Sequence, residues 1–464
     1  MPSLYGAMTT NQTKTRMFSA RLRHIHSLYL HVILAFAILS PIHAKAKKQW
    51  TLQECTEYAV KNNIQLKQQR NIIKKAELSL NTSKSSRLPN LIYSMSQNFS
   101  YGRSLSVDNV YVNQNVKTTS FSLTTELPLF TGFRISNSIK MNMLSSMACS
   151  SDEEKLENLL RINVAEAYIQ VLYNEEAVKI AAYQVETDSI QLDRCMSFEA
   201  AGRISHIDVS QQKSILAQSR QVYVQNYTNM QTSLLTLAQL MNLETTEGFE
   251  ICTTINNVSD ITIGSPREIY EIALSVRPEI KAEKQRLDAA EKAINVAKSY
   301  LYPQLSLSGG INTRYYNTSE YQNEDFFSQL KNKFNQYFSL NLSFPLFNRF
   351  ETRNNINRAK VERDDQQLVL ENARNELYKA VQQSYYKAVN AKSNYEASEV
   401  AVSSSKETFE LIKEKYENGR ATILEYEESK RRYLEAESKL LQAKYELLLM
   451  AKTLRFYCGE TLTI

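Results

Sequence analysis

The chain of 464 residues contains only 10 glycines and 8 prolines, about half the usual share or less. So few helix-breaking residues favour long uninterrupted helices and argue against a Rossmann fold, a P-loop fold or a fold with many short loops. The formal charge is +6, but four of the basic residues lie in 1–44, which contains no acidic residue. The remainder has a net charge of +2, which argues against a nucleic-acid-binding surface.

The first 44 residues are predicted to form a secretory signal peptide, with Met17 as an alternative translation start. A basic segment ending at Arg23 precedes an apolar run over 28–40, and residues 41–44 supply a plausible cleavage site. The apolar run is short for a membrane-spanning helix. No later stretch holds 18 consecutive apolar residues. Any membrane-spanning part of the mature chain is therefore expected to be a closed β-barrel.

The two halves of the remaining chain share short sequence matches at a nearly constant offset of 214 to 217 residues. The matching segments are 57–59 with 271–273, 89–91 with 303–305, 127–130 with 344–347, and 202–203 with 419–420. A constant offset indicates duplication of a large unit, because the period is too long for a solenoid. It predicts a first repeat over 45–246, a linker over 247–265 and a second repeat over 266–464.

Each repeat is predicted to open with a helix of about 35 residues that ends near Pro89 or Pro303. Two strand-like segments follow. The segment 338–344 alternates strictly between apolar and polar residues, and 121–127 alternates nearly as well. Such alternation is typical of a half-buried strand in a soluble sheet, or of a barrel strand between lipid and water. Matching hairpins in both repeats favour the barrel. The side chains predicted to face lipid are Phe338, Leu340, Leu342 and Phe344, and those predicted to face the lumen are Ser339, Asn341 and Ser343.

Very long helices are predicted after each strand pair, over 135–197 and 350–417, because neither stretch contains glycine or proline. The second would run for about 100 Å at 1.5 Å per residue. A Gly-Arg turn follows each, at 202–203 and 419–420, and another helix returns. The last helix repeats every seven residues at Tyr426, Tyr433, Leu440, Leu447 and Leu454. Heptads predict left-handed coiled coils. On their own, heptads more often indicate an ordinary coiled-coil dimer.

Catalytic and metal-binding motifs are absent from the sequence. His206 is the only histidine outside 1–44, and no P-loop, GxGxxG, HExxH or nucleophile-elbow motif occurs. We therefore expect no enzyme activity, no cofactor and no metal site. The five cysteines are scattered and show no CxxC spacing. They are interpreted as mostly buried single thiols. The alternative is that two of them form one disulfide in an oxidising periplasm.

Several segments, in order and duplicated, resemble one known family over about 51–458. They are 52–63 in the opening helix, Arg277-Pro278-Glu279-Ile280, the Pro-Leu-Phe strand ends at 128–130 and 345–347, and Tyr416-Glu417-Asn418-Gly419 with Glu425. The chain is similar to the TolC-like outer membrane efflux proteins. The resemblance implies a mainly α fold with a β-barrel portion, in which antiparallel coiled-coil helices form a periplasmic α-barrel. Four strands per chain would contribute to a trimeric, 12-stranded outer-membrane barrel.

The resemblance also implies a function without catalysis. A homotrimer in the cell outer membrane would give passive exit to substrates driven by an inner-membrane pump through a periplasmic adaptor, without any nucleic-acid partner. Neither the exported substrate nor the particular pump and adaptor can be predicted from the sequence. The alternative is a secreted coiled-coil structural or adhesion protein of the cell surface, which would account for the heptads but not for the paired strands.

Two candidate sites follow at the helix turns. Gly202, Arg203, Gly419 and Arg420 are predicted to dock the adaptor, with a simple helix-capping role for the glycines as the alternative. Asp208, Glu425 and Glu428 are predicted to form carboxylate rings that select cations at the narrow end of the tunnel, and Tyr416 with Arg420 to lock its closed state. The alternative is that Glu425, Glu427 and Glu428 only complement the dipole at a helix N-terminus.

Overall fold

The structure is a computed structural model that describes residues 49–106, 109–246, 248–252, 264–319 and 322–460. The signal peptide predicted over 1–44 and most of the linker predicted over 247–265 lie outside the described residues. The chain divides into two compact units, one made of 1–49 and 248–250 and the other of all remaining residues. Of the first unit, only Gln49 and residues 248–250 are described.

The second half of the chain repeats the order of elements of the first, with a 3₁₀ turn and one short helix added. The first half contains β1 (Gln49–Trp50), α1 (Leu52–Asn62), α2 (Ile64–Ser85), β2 (Asn90–Leu105), β3 (Tyr111–Thr131), α3 (Arg134–Ala200) and α4 (His206–Met241). The second contains β4 (Glu250–Ile251), α5 (Pro266–Val276), α6 (Pro278–Lys298), a 3₁₀ turn (Ser299–Leu301), β5 (Gln304–Thr318), α7 (Phe326–Asn332), β6 (Asn335–Ser343), α8 (Glu351–Glu417) and α9 (Ile423–Tyr457). The helices predicted over 135–197 and 350–417 correspond to α3 and α8.

Each opening helix is broken in two, so the prediction of a single helix of about 35 residues was wrong. In the first half the side chain of Asn63 accepts the N–H groups of Gln65 (2.9 Å) and Leu66 (3.2 Å) and starts a new helix there. In the second half Pro278 has no N–H to donate and disfavours a helical conformation at Arg277, which is extended at φ −72° and ψ 126°.

The four long strands form one antiparallel sheet in the order β2-β3-β5-β6. Tyr93 pairs with Leu123, and Leu123 pairs with Ile311, while Leu307 pairs with Leu340. Directly paired residues point to the same face of a sheet, so most apolar positions of the four strands share one face, with exceptions that include Ile92, Val116 and Tyr337. The residues between them form a polar face that includes Ser94, Ser122, Asn312, Ser308 and Ser339.

The predicted lipid-facing residues all lie on this apolar side or just beyond it. Phe338, Leu340 and Leu342 lie on the apolar face of β6, and Phe344 follows the end of that strand. All four are exposed, Phe338 by 85%. Asn341 lies on the opposite face, where its amide donates to the Ser308 hydroxyl at 2.9 Å. The sheet therefore separates apolar from polar side chains as the alternation predicts. That lipid covers the apolar face stays a prediction.

The passage from strand to long helix has the same strained geometry in both halves. Phe133 (φ 66°) and Phe350 (φ 63°) are left-handed residues that immediately precede α3 and α8. The residues before them, Gly132 and Arg349, also have positive φ angles. Positive φ in a bulky residue is uncommon and costs free energy. Its occurrence at equivalent positions indicates that the abrupt change of chain direction is a property of the repeated unit.

One hydrophobic core cluster lies where the opening helices of the second half pack on α8 and α9. Its buried members are Ile269, Ala273, Ile280, Leu370, Leu377, Val381, Ala388 and Leu454. The helices α3 and α4 form one antiparallel hairpin, and α8 and α9 form a second. Among the helices that the structure describes, none is long and apolar enough to cross a membrane.

Candidate functional site

The two hairpin turns have the geometry that the Gly-Arg pairs predict. Gly202 and Gly419 are left-handed, with φ of 70° and 69°. The amide of Arg203 donates to the carbonyl of Phe198 (2.8 Å), and that of Arg420 to the carbonyl of Lys415 (2.7 Å). These bonds close the ends of α3 and α8 in a Schellman motif, which favours glycine because it has no Cβ. Both glycines and both arginines are exposed.

Asp208 and Glu425 cap the returning helices. Asp208 accepts the N–H of Ser205 at 2.9 Å and its hydroxyl at 2.8 Å. Glu425 accepts the N–H of Thr422 at 2.7 Å and its hydroxyl at 2.9 Å. Each pair is a capping box that satisfies the first amides of α4 or α9. The bonds from the backbone and side chain of Thr422 hold the pKa of Glu425 below its usual value. In the structure, Asp208 and Glu425 therefore act as helix caps. That they also form carboxylate rings stays a prediction.

Glu428 lies one turn further along α9 and is paired with two arginines. Its carboxylate accepts from Arg431 at 2.6 Å and from Arg432 at 2.8 Å. These hydrogen bonds, from Arg431 first and then Arg432, hold the pKa of Glu428 below its usual value. Arg431 also contacts Glu435 at 2.5 Å. The surface around Glu428 therefore mixes both charges, whereas the sequence prediction considered the carboxylate alone.

Tyr416 joins the two hairpins. Its hydroxyl accepts the side-chain amide of Gln191, on α3, at 3.0 Å. Its ring stacks on that of Tyr426, with centroids 5.0 Å apart. Burial is the main cause that raises the pKa of the Tyr416 hydroxyl, which stays protonated. Of the two residues predicted to lock the closed state, Tyr416 makes a contact of the expected kind within one chain, and Arg420 is exposed at the turn.

A buried ion pair that the sequence did not predict lies close to these residues. Asp188 of α3 and Lys430 of α9 are 2.5 Å apart, with side chains 0% and 5% exposed. Asp188 also accepts from the amide of Gln184 (2.8 Å) and from the hydroxyl of Ser219 on α4. One carboxylate therefore joins three of the four long helices. A buried charge needs such partners, because unpaired it carries a large desolvation cost.

The spacing of α3 contained a signal for this pair. Asn174, Ala181, Asp188 and Cys195 recur every seven residues, and all four are buried. A charged residue in a heptad seam has to find a partner on a facing helix. Asp188 was not predicted, because an acidic residue within a long helix is usually solvated.

A groove of about 560 Å³ opens beside the ion pair, between α4 and α9. Its apolar lining includes Ile180, Ile215, Val222, Leu424 and Leu434, and its polar lining includes Glu427, Glu428, Lys430 and Arg431. Burial is the main cause that raises the pKa of Glu427, an effect that Lys430 opposes and Asp188 reinforces. The groove is thus a surface where apolar and ionisable groups from both hairpins meet near the turns.

The cysteines lie away from any cluster of metal ligands. Cys55 and Cys195 are buried, and Cys149, Cys252 and Cys458 are half-buried. Burial raises the thiol pKa of Cys149, Cys195 and Cys458, as expected for thiols packed in a protein interior. Within the described part of the chain, no group of three or more His, Cys, Asp or Glu residues is placed to hold a metal ion.

Two long helical hairpins joined to an antiparallel sheet with one apolar face define a class of cell-envelope proteins that combine coiled coils with amphipathic strands. The chain belongs to the outer membrane efflux protein family, whose sequence profile matches residues 56–243 and 269–460. The two matched segments cover most of both halves of the chain.

Curated relatives and solved structures are similar to this chain. It is 24% identical over 308 residues to the pyoverdine export outer membrane protein OpmQ of Pseudomonas aeruginosa, covering 65% of this chain and 61% of that relative. The crystal structure of CusC aligns with a TM-score of 0.77 and 18% identity, over 89% of this chain and 92% of that one. The Campylobacter jejuni CmeC outer membrane channel aligns with a TM-score of 0.73 and 19% identity, over 88% and 85%. At such identities the structures establish the shared fold.

Proposed function

We propose that this chain is the subunit of an outer membrane channel that gives passive exit to substrates. An inner-membrane pump would drive export through a periplasmic adaptor. The observation that carries the proposal is the sheet. All four strands share one mainly apolar face, and among the residues that the structure describes the edge strands β2 and β6 have no further strand partner.

An open sheet edge is not stable in lipid, because its unpaired N–H and C=O groups have no water to bind. Pairing of β6 with β2 of another copy removes both edges when the ring closes. Three copies supply twelve strands, so a homotrimer forms one closed barrel. Its apolar face contacts lipid and its polar face, with Asn341 and Ser339, lines a water-filled lumen.

The helical hairpins continue the tunnel into the periplasm. Tyr416 with Gln191 and Asp188 with Lys430 hold the second hairpin against the first and thereby keep the far end narrow. The exposed turns at Gly202-Arg203 and Gly419-Arg420 dock the adaptor. Asp208, Glu425 and Glu428 of three copies surround the exit axis. The similar protein OpmQ is a pyoverdine export outer membrane protein, which supports a general role in export here.

Extraction of the protein from outer membranes tests whether the chain is a trimeric channel. Outer membranes dissolved in mild detergent should contain a heat-resistant trimer of this chain, and the purified trimer should form ion-conducting pores in planar bilayers. A secreted coiled-coil protein, the alternative from sequence, would instead be recovered as a soluble elongated dimer without conductance. That second result would rule out the channel. The family match favours the channel over this alternative.

A further inference from the structure

Strand β6 is much shorter than the strands beside it. It has 9 residues, whereas β5 has 15 and β2 has 16. The pairing of β5 with β6 runs from Gln304 to Asn312 only. The outer part of β5, residues 313–318 at the end away from the long helices, therefore has no strand beside it on that side.

Side-chain amides from residues 322–334, here called the edge segment, take the place of the missing strand. The Gln329 side chain donates to the carbonyl of Tyr316 (2.8 Å) and accepts its N–H (3.0 Å). The Asn323 side chain does the same with Thr318, at 2.9 Å in both directions. Each amide satisfies one donor and one acceptor, as a neighbouring strand would. Gln329 is only 3% exposed, so these bonds are shielded from water.

The edge segment is also anchored on the apolar face of the sheet. The Phe326 ring packs edge-on against Tyr315 (5.1 Å between centroids) and Phe121 (6.5 Å). Thr313 donates its hydroxyl to the carbonyl of Leu330 at 2.7 Å. The next residue, Phe327, is 77% exposed, and Phe334 is exposed too. A segment held at the free edge of β5 by Gln329 thus leaves the neighbouring Phe327 ring exposed.

We infer that the edge segment forms the outer part of the contact between two copies of this chain. The inference rests on the proposed trimer, in which β6 pairs with β2 of the next copy. The nine residues of β6 are too few to pair with all sixteen residues of β2, so the outer part of β2 has no strand on the side that faces the next copy. Phe99 and Tyr101 lie there, exposed and on the apolar face. Phe327 packs against this part of β2 in the next copy.

The edge segment would also fix how the copies align. Strand pairing between copies stops at Asn335, where β6 begins. Beyond it, Gln329 and Asn323 occupy the edge of β5, so β2 of the next copy cannot pair there instead. A strand that slips by one residue places its apolar side chains on the wrong face. The segment limits how far β6 and β2 of the next copy can pair, and it thereby favours one register between these two strands.

Photo-crosslinking at Phe327 tests this inference. Phe327 is replaced in the full chain by the photoreactive p-benzoylphenylalanine, and trimers in outer membranes are irradiated. The expected result is a covalent dimer on a denaturing gel, with β2 of the second copy identified by mass spectrometry. The same substitution at Phe326, which packs on its own sheet, and at Leu307, on the inner strand β5, should give at least about tenfold less dimer.

The outcomes separate the two proposals. Intact trimers in which Phe327 gives no more dimer than Phe326 or Leu307 would overturn the edge contact and leave the channel standing. Absence of any trimer would overturn both. As a second measurement, Gln329→Leu should lower the temperature at which the detergent-resistant trimer dissociates, whereas Gln322→Leu, at an exposed position in the same segment, should not. Equal behaviour of the two variants would count against the inference.

Discussion

Asp188 and Lys430 connect the two helical hairpins through an ion pair of 2.5 Å whose members are almost fully buried. They come from α3 and α9, which belong to different halves of the chain. Ser219 adds a bond from α4 to the same carboxylate. The pair therefore sets the relative position of the hairpins near their turns, where the proposed gate lies.

Removing one member of the pair should destabilise the packing of the hairpins. Asp188→Ala leaves the Lys430 ammonium buried without its partner, which typically costs about 3–5 kcal/mol. The double variant Asp188→Leu with Lys430→Met should recover most of the loss, since both charges are gone. Urea unfolding followed by circular dichroism measures the difference. Lys179→Ala, which removes an exposed pair with Glu176 on α3, is the control and should change little. A single variant as stable as the parent would show that the pair is not structural.

Loss of the contact between Tyr416 and Gln191 should open the closed end. Tyr416→Phe removes the hydroxyl that accepts from Gln191 but keeps the ring that stacks on Tyr426. Combined with Arg420→Ser, it should raise single-channel conductance several-fold, because the second hairpin is then free to move outward. Leu411→Ala, at an exposed position of α8, is the control. Unchanged conductance in the double variant would place the constriction elsewhere.

The effect of charge at Asp208 and Glu425 can be distinguished from the effect of helix capping by two kinds of substitution. Asp208→Asn with Glu425→Gln removes two carboxylates while leaving acceptors for Ser205 and Thr422. If carboxylate rings select cations, this variant should lose cation selectivity and multivalent-cation block as fully as Asp208→Ala with Glu425→Ala. Reversal potentials in a salt gradient measure both. Parent-like selectivity in the Asn/Gln variant would mean that the residues are only caps.

The pH dependence of that selectivity has a defined sign. The bonds from Thr422 lower the pKa of Glu425, so its carboxylate stays charged at pH values where an ordinary glutamate is already protonated. The contribution of Glu425 should therefore persist as the pH falls through the normal glutamate value of 4.5 and disappear only below it. Thr422→Val, which removes the hydroxyl, should move the loss to higher pH.

A substitution at Gly419 should abolish export without preventing assembly of the trimer. Gly419→Pro cannot adopt φ of 69° and removes the N–H that donates to Tyr416 at 3.0 Å. Export should be lost while trimers stay in the membrane, since the turn is far along the chain from the strands. Gly419→Asn is the control, because asparagine tolerates the left-handed region and nothing lies within 4 Å of an added Cβ. Normal export by the proline variant would exclude a critical docking turn.

Patterns of residue spacing were enough to predict most of the fold. The absence of glycine and proline gave the limits of α3 and α8 to within a few residues, and alternation separated the apolar face of β6 from its polar face. The turns at Gly202 and Gly419 were predicted because few residues other than glycine adopt their conformation without strain. These features depend on local chemistry that the sequence displays directly.

Features that depend on distant partners were missed. The burial of Asp188 requires Lys430 and Ser219, which are far away in sequence, and a carboxylate within a helix looks like a solvated one. The breaks at Asn63 and Arg277 interrupt helices whose apolar pattern continues on both sides. The role of the edge segment was missed as well, because Gln329 and Asn323 act on the distant backbone of β5 through single side chains.

The central claim is that the sheet lines a pore through a membrane, with Leu342 toward lipid and Asn341 toward water. Planar-bilayer recording of Leu342→Arg and Asn341→Arg tests it most directly. A charge on the lipid face costs about 2–4 kcal/mol near the membrane midplane, so Leu342→Arg should yield few trimers and few channels. Asn341→Arg should assemble normally and shift conductance and ion selectivity toward anions. Equal assembly of the two variants, with the conductance of the parent in both, would contradict the account.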